Sequence, residues 1–221
     1  MWNEQLSRQG LLIVISGPSG VGKTSVVKSL CKADATLKLS ISATTRPPRP
    51  NEIDGVNYHF LSPSQFEALI RRGGFLEWAK YGDHFYGTLS SVVEPMIAAG
   101  KDVTLEIDVR GALQVKALRL KGVFIFLLPP SFATLEKRLR DRNTESDPEL
   151  QRRLIQAKSE ITYMKDYDYC VINPEGGIEQ AAQQIRHIIS VERCRIDKQL
   201  LEAVSQEFSI ESADGGINHG C

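Results

Sequence analysis

Eight residues near the start of the chain, Gly17-Pro18-Ser19-Gly20-Val21-Gly22-Lys23-Thr24, fit the spacing G-x-x-x-x-G-K-[ST]. Those residue types at that spacing suit the wrapping of a phosphate chain. Glycines let backbone N–H groups turn inward on phosphate oxygens, and a helix beginning at the end of the loop adds its partial positive charge. Lys23 is then placed to reach the β and γ phosphates of a nucleotide, and the Thr24 hydroxyl to ligate Mg²⁺. Such a loop needs a strand before it and a helix behind it. Leu11-Leu12-Ile13-Val14-Ile15 is a β-branched apolar run that reads as a buried strand. From Ser25 to Lys32, Val26, Val27, Leu30 and Cys31 form a helical stripe. Residues 17–25 are therefore the expected nucleotide loop; a glycine-rich turn into a helix is the plainer alternative.

Arginines gather elsewhere in three clusters, at 46 and 49, at 138, 140 and 142, and at 152 and 153. The guanidinium fork binds phosphate at two points and keeps its charge, so it suits the neutralising of two phosphate groups as they approach. Arg46 and Arg49 lie among Pro47, Pro48 and Pro50, on a stiffened segment. Arg138 and Arg142 are four apart, on one face of an expected helix. Arg46, Arg49, Arg138, Arg142 and Arg153 are the candidates. A single arginine taken alone reads as a solvated surface charge.

The elements that must position these groups alternate between strand and helix, which predicts an α/β fold with a three-layer parallel sheet core. Further buried strands are expected at Val103–Ile107, Val123–Leu128 and Tyr169–Ile172. Helices are expected at Ser91–Ala99 and at about 110–119, 131–141, 148–164 and 178–200. Residues 41–91 break the alternation and form an inserted mixed lobe. Within it, Val56-Asn57-Tyr58-His59-Phe60 alternates like an exposed antiparallel strand. Ser62-Pro63-Ser64-Gln65 is a capping box with proline at the first helical position, opening a helix with Phe66, Leu69 and Ile70 on one face. Short strands at Phe75–Ala79 and around His84–Tyr86 complete the lobe. A second, arginine-rich excursion at 133–157 reads as a helical lid able to exclude water from a phosphate site. The core is then 10–40, 92–132 and 158–200. The glycine-rich segment 204–221 reads as a disordered tail.

The 221 residues carry 27 basic and 27 acidic side chains, a balance that argues against a general nucleic-acid binder. The four cysteines are far apart and show no metal spacing; Cys31 and Cys170 sit in apolar patterns and read as small core residues of a reducing compartment. No apolar run nears 18 residues and no leader pattern is seen, so the expectation is a cytoplasmic protein that does not enter a membrane.

The motifs taken together carry a resemblance. Gly17 to Thr24 is followed by Ser42-Ala43-Thr44-Thr45-Arg46-Pro47-Pro48-Arg49, Gly55-Val56-Asn57-Tyr58, Phe75-Leu76-Glu77-Trp78 and Tyr86-Gly87-Thr88. Glu106-Ile107-Asp108, Pro129-Pro130-Ser131 and Lys137-Arg138-Leu139-Arg140-Asp141-Arg142 come after. Over about residues 10 to 195, order and spacing resemble those of guanylate kinases, nucleoside monophosphate kinases with a P-loop core.

The resemblance implies that Ser42, Arg46, Arg49, Tyr58 and Tyr86 hold the phosphate of GMP, and that Glu77, Thr88 and Asp108 read its guanine. Base chemistry agrees: guanine offers N1–H and the 2-amino group as adjacent donors to one carboxylate, and its O6 accepts from a hydroxyl. Adenine has the opposite pattern and would leave Glu77 unpaired. Relatives often carry serine at position 88 and some carry aspartate at 106, whose role is left open here. The implied reaction is ATP + GMP (or dGMP) to ADP + GDP with Mg²⁺, in purine nucleotide metabolism and GMP recycling, with no obligate protein partner. Lys23 and Thr24 serve the donor, with Asn173 as the candidate for the adenine pocket. Arg138, Arg142 and Arg153 arrive with the lid, and Asp108 also orients water around the metal. Two alternatives stay open: a non-catalytic guanylate-kinase-like binding module, and a kinase of the same class preferring another base.

Overall fold

A computed structural model of the protein describes residues 9–141, 147–196 and 198–208. The apolar run before the glycine loop forms strand β1, Leu12–Ser16, with every residue buried. Ile13 and Ile15 pack to one side and Leu12 and Val14 to the other. A strand covered on both faces must be apolar throughout, and this one reads as a run without alternation. Helix α1, Lys23–Ala33, follows the loop and buries Val26, Val27 and Leu30 against the Ile13 side. Strand β2 is Lys38–Leu39.

The chain then leaves the core. Strands β3 (Ala43–Thr44) and β4 (His59–Phe60), helix α2 (Pro63–Arg71), and strands β5 (Phe75–Tyr81) and β6 (His84–Leu89) build a second sheet in the order β4-β3-β6-β5. Its core is aromatic, with the Phe66 ring 4.3 Å from Phe75 and 5.4 Å from Phe85. The capping box at Ser62 and Gln65 starts α2 as expected, with both reciprocal bonds formed. The expectation of an antiparallel strand over 56–60 is corrected. Only His59–Phe60 is strand, and it pairs with β3 in parallel. The preceding residues turn, with Val56 and Asn57 N–H both on the Ile53 carbonyl and Gly55 N–H on that of Tyr58. A turn also exposes residues in an alternating manner, and the sequence pattern did not separate the two.

Helix α3 (Ser90–Ala98) returns the chain to the core, where β7 (Val103–Glu106), α4 (Val109–Ala117) and β8 (Gly122–Leu128) follow. Helices α5 (Phe132–Arg140) and α6 (Asp147–Ile161) form the second excursion and share a small cluster of Leu135, Leu139, Leu150 and Leu154. Strand β9 (Tyr169–Ile172) completes a parallel sheet in the order β2-β7-β1-β8-β9. Helix α7 (Ile178–Glu192) then covers α1 and the sheet on one face, while α3 and α4 cover the other.

Two expectations at the C-terminal end change. The helix expected over 178–200 ends at Glu192, where Arg193 turns toward Asp102 and Arg195 folds back onto Glu192. A separate helix α8, Lys198–Glu207, runs past position 204, where the tail was expected to begin; residues 209–221 lie outside the described residues. Cys31 is half-buried against the core, but Cys170 is exposed on β9, an edge strand of the sheet. No helix among the described residues is long and apolar enough to cross a membrane.

Candidate active site

The phosphate loop is made by backbone. Gly17 and Gly22 have φ of 149° and 95°, a region that side chains strain to reach. Space excludes them too: a Cβ at Gly17 would lie 2.2 Å from the Leu127 carbonyl oxygen, and one at Gly22 2.8 Å from Asn173 Nδ2. Helix α1 opens at Gly22 with no side-chain cap and no acidic residue in its first turn. Its first N–H groups and its positive end are therefore left for an anion. The Lys23 ammonium donates to the Gly17 and Pro18 carbonyls at 2.7 and 3.2 Å, which curls the loop around the space it encloses.

Five residues from distant parts of the chain close on this loop. The Thr24 hydroxyl donates to a carboxylate oxygen of Glu106, at the end of β7 beside β1. Arg138 donates to the Val21 carbonyl at 3.1 Å and to those of Asn173 and Pro174 at 3.0 Å each. The buried Asn173 amide donates to the Val21 carbonyl at 2.7 Å, while its Oδ1 is buried with no hydrogen-bond partner. From α6, Arg153 donates to Ser19 Oγ at 2.7 Å and Glu160 accepts the Ser19 N–H at 3.1 Å.

A cavity of about 380 Å³ lies between the two sheets. One end is hydroxylic. Ser42, Tyr58 and Tyr86 line it, and the Arg46 guanidinium lies 5.5 Å from the centre of the Tyr58 ring. Arg46 is held by a two-point bond to Glu52, at 2.8 and 2.9 Å, and Glu52 also accepts the Arg49 N–H at 2.7 Å. The other end is acidic, with Glu77 and Asp108. Glu106 lines the same cavity and touches Thr24, so it belongs to both halves of the site.

A bulge aims Glu77 into this cavity. Phe75 pairs with Leu89, yet Glu77 pairs with Thr88, so β5 carries one residue more than its partner. The extra residue shifts the alternation by one. Phe75 faces the aromatic core of the lobe, Leu76 packs against the parallel-sheet core, and Glu77 with Ala79 and Tyr81 faces the cavity. Thr88 Oγ1 donates to Glu77 Oε1 across the pair at 2.7 Å. Burial pushes the Glu77 carboxyl up to about 7; the Thr88 bond opposes the rise and the nearby Asp108 charge adds to it. Asp108 caps α4 by accepting the Gly111 N–H at 2.7 Å, and its other oxygen accepts from the Tyr81 hydroxyl. Burial and that bond raise the Tyr81 phenol well above its ordinary value, so it stays a donor.

Comparison with known proteins supports the same reading. The family model described as guanylate kinase matches residues 9–192. The chain belongs to the guanylate kinase family. It is 49% identical over 193 residues to a guanylate kinase of Caldanaerobacter subterraneus, covering 87% of this chain and 93% of the relative. It is 47% identical over 203 residues to that of Halalkalibacterium halodurans, covering 92% and 98%. Among solved structures, the guanylate kinase from Anaplasma phagocytophilum superposes with a TM-score of 0.70 at 29% identity, covering 94% of this chain and all of that one.

Set against this guanylate kinase frame, most of the sequence-predicted residues fall into two groups. Ser42, Tyr58, Glu77, Tyr86 and Asp108 line one cavity, and Thr88 reaches it through Glu77. Lys23, Thr24 and Arg153 meet at the loop. Arg138 reaches the loop as well: three of its five N–H donors lie on carbonyls joining the loop to the end of β9. Arg142 lies outside the described residues; α5 ends at Arg140. Arg49 is exposed, and its backbone meets Glu52 twice: its N–H donates to the Glu52 carboxylate and its carbonyl accepts the Glu52 N–H. The acid in contact with Thr24 is Glu106, not Asp108, whose two oxygens are engaged at the other end of the cavity.

Sequence reading missed Glu52, Tyr81, Gln114 and Glu160. Glu52, three residues beyond Arg49, carried a local signal as a carboxylate beside a cation pair. The others meet the site only through tertiary contact.

Proposed function

We propose that this chain transfers the γ-phosphoryl group of ATP to GMP or dGMP, giving ADP and GDP. The observation that carries the base assignment is the buried Glu77–Thr88 pair on the wall of a cavity whose far end is lined by Tyr58, Tyr86 and Ser42, with Arg46 against the Tyr58 ring. An ionised Glu77 accepts from guanine N1–H and the 2-amino group. Thr88, whose hydroxyl donates a hydrogen bond to Glu77 in this structure, rotates to donate to O6. A purine lacking those donors leaves a buried carboxylate unpaired, a mismatch that can discriminate by about 10⁴.

The donor is held by the loop amides and Lys23, with the unpaired Asn173 Oδ1 as an acceptor for the adenine amino group. Thr24 and Glu106 present hard oxygens side by side, which suits Mg²⁺. When bound, the ion neutralises charge on the β and γ phosphates. The acceptor oxygen is already ionised near neutral pH, so no strong general base is required, and alignment with charge neutralisation carries the reaction. Arg46 and Arg49 fix the acceptor phosphate, and Arg153 brings the lid onto Ser19. We take residues 41–91 as the acceptor lobe and 133–157 as the lid. Arg142 remains a candidate for the transferring group by resemblance alone. Free thiols at Cys31, Cys170 and Cys194 suit a reducing cytoplasm.

The test is ADP formation from ATP and Mg²⁺ with GMP, dGMP, AMP, CMP or UMP as acceptor. Turnover confined to GMP and dGMP is expected. Equal turnover with AMP or UMP would sink the guanine assignment. GMP binding without turnover by any acceptor would favour a binding module.

A further inference from the structure

Strand β5, which carries Glu77, lies at the edge of its sheet, and the groups on that edge have no neighbouring strand. Helix α4 takes the neighbour's place. Asp108, Gly111 and Gln114 recur every three residues and so form one stripe along the helix. Each meets β5. Asp108 accepts from the Tyr81 hydroxyl. Gly111 leaves room for Glu77, since a Cβ there would come within 2.8 Å of Glu77 Oε2. Gln114 accepts the Trp78 N–H through Oε1 at 3.1 Å and donates through Nε2 to the Trp78 carbonyl at 2.9 Å. Its amide thus satisfies both backbone groups of one edge residue, as a strand partner would.

Trp78 follows Glu77 directly. Fixing its backbone on the helix sets how far the Glu77 carboxylate lies along the stripe from Asp108, and these two acids come from a strand and from a helix N-cap, 31 positions apart in sequence. We propose that Gln114 is a positioning residue for base selection, acting through the Trp78 backbone on Glu77. The inference rests on the reading of this cavity as the GMP site. Loss of both bonds lets the edge strand shift against α4, and a displacement near 1 Å at a reacting pair can cost up to about 10²-fold.

The experiment compares wild type with Gln114→Met, which keeps side-chain length and helix preference but loses both bonds, and with Gln114→Glu, which keeps the acceptor and loses the donor. KM for GMP and for ATP, and kcat/KM with GMP and AMP, are measured across pH. For Gln114→Met the expectation is a KM for GMP raised about tenfold, GMP-over-AMP preference reduced about as much, and KM for ATP within twofold. The pH midpoint of the GMP term moves down as Glu77 gains water. Gln114→Glu falls between. An unchanged KM for GMP and unchanged preference in Gln114→Met would overturn the inference, as would an equal rise in both KM values. A wild-type protein with no preference for GMP would instead overturn the reading beneath it.

Discussion

The phosphate loop and the base pocket are built in different ways. The loop is one contiguous run whose working groups are backbone N–H donors, and its shape follows from glycines at fixed spacing and a strand and helix on either side. The pocket is made of side chains from β5, β6, the end of β7 and the N-terminus of α4, with Ser42 and Tyr58 from just before β3 and β4, so it draws on two sheets, and its central carboxylate is aimed by a bulge. Backbone donors bind any phosphate chain and carry no information about the base. Buried side chains do carry it, at the cost of holding polar groups away from water. Glu77 shows that cost, with its carboxyl lifted to about 7 by burial.

If the two regions divide the work in this way, mutations in each should move different quantities. Lys23→Ala removes the loop's cation and should give the largest effect, a fall in kcat of about 10³-fold. KM for GMP should stay within about twofold, and a matching loss of GMP binding would break the division. Glu77→Gln should lower kcat/KM for GMP by about 10²-fold through loss of two charge-assisted bonds, with KM for ATP unmoved. The same carboxyl sharpens the comparison through pH. GMP needs Glu77 ionised, so below pH 7 its apparent affinity should weaken by up to about tenfold per unit. The GMP phosphate also titrates, near 6, and the difference between the wild-type and Glu77→Gln profiles isolates the protein's part.

The smallest effect concerns stability. Glu77 holds its proton up to about pH 7 in the folded chain, against an ordinary value of 4.5 when unfolded. Between those values the folded state binds more protons, so this group lowers stability as pH rises, by at most about 3 kcal/mol once above 7. Glu77→Gln should therefore melt close to wild type near pH 5 and several degrees higher near pH 8. Equal melting temperatures at pH 8 would show that the empty pocket does not strain its carboxylate.

Much of the molecule was legible before folding. The glycine spacing fixed the loop, β-branched runs without alternation marked strands buried on both faces, and a proline-led capping box started α2 where it was expected. Local patterns served less well where a turn and a strand expose the same residues, as at 56–60, or where a helix ends through side-chain pairs made at a distance, as at Arg193 and Asp102.

For the site, the sequence by itself determined the residue types, because the chemistry of phosphate and of guanine leaves few choices. Only the tertiary structure decided their arrangement: Glu106 rather than Asp108 against Thr24, Arg138 on loop carbonyls, Glu52 behind Arg46, and Gln114 along the edge of β5. Each of these contacts, apart from that of Glu52, joins residues tens of positions apart. A chain's local pattern records how each segment meets water or core, and it holds no record of which distant segment supplies the partner.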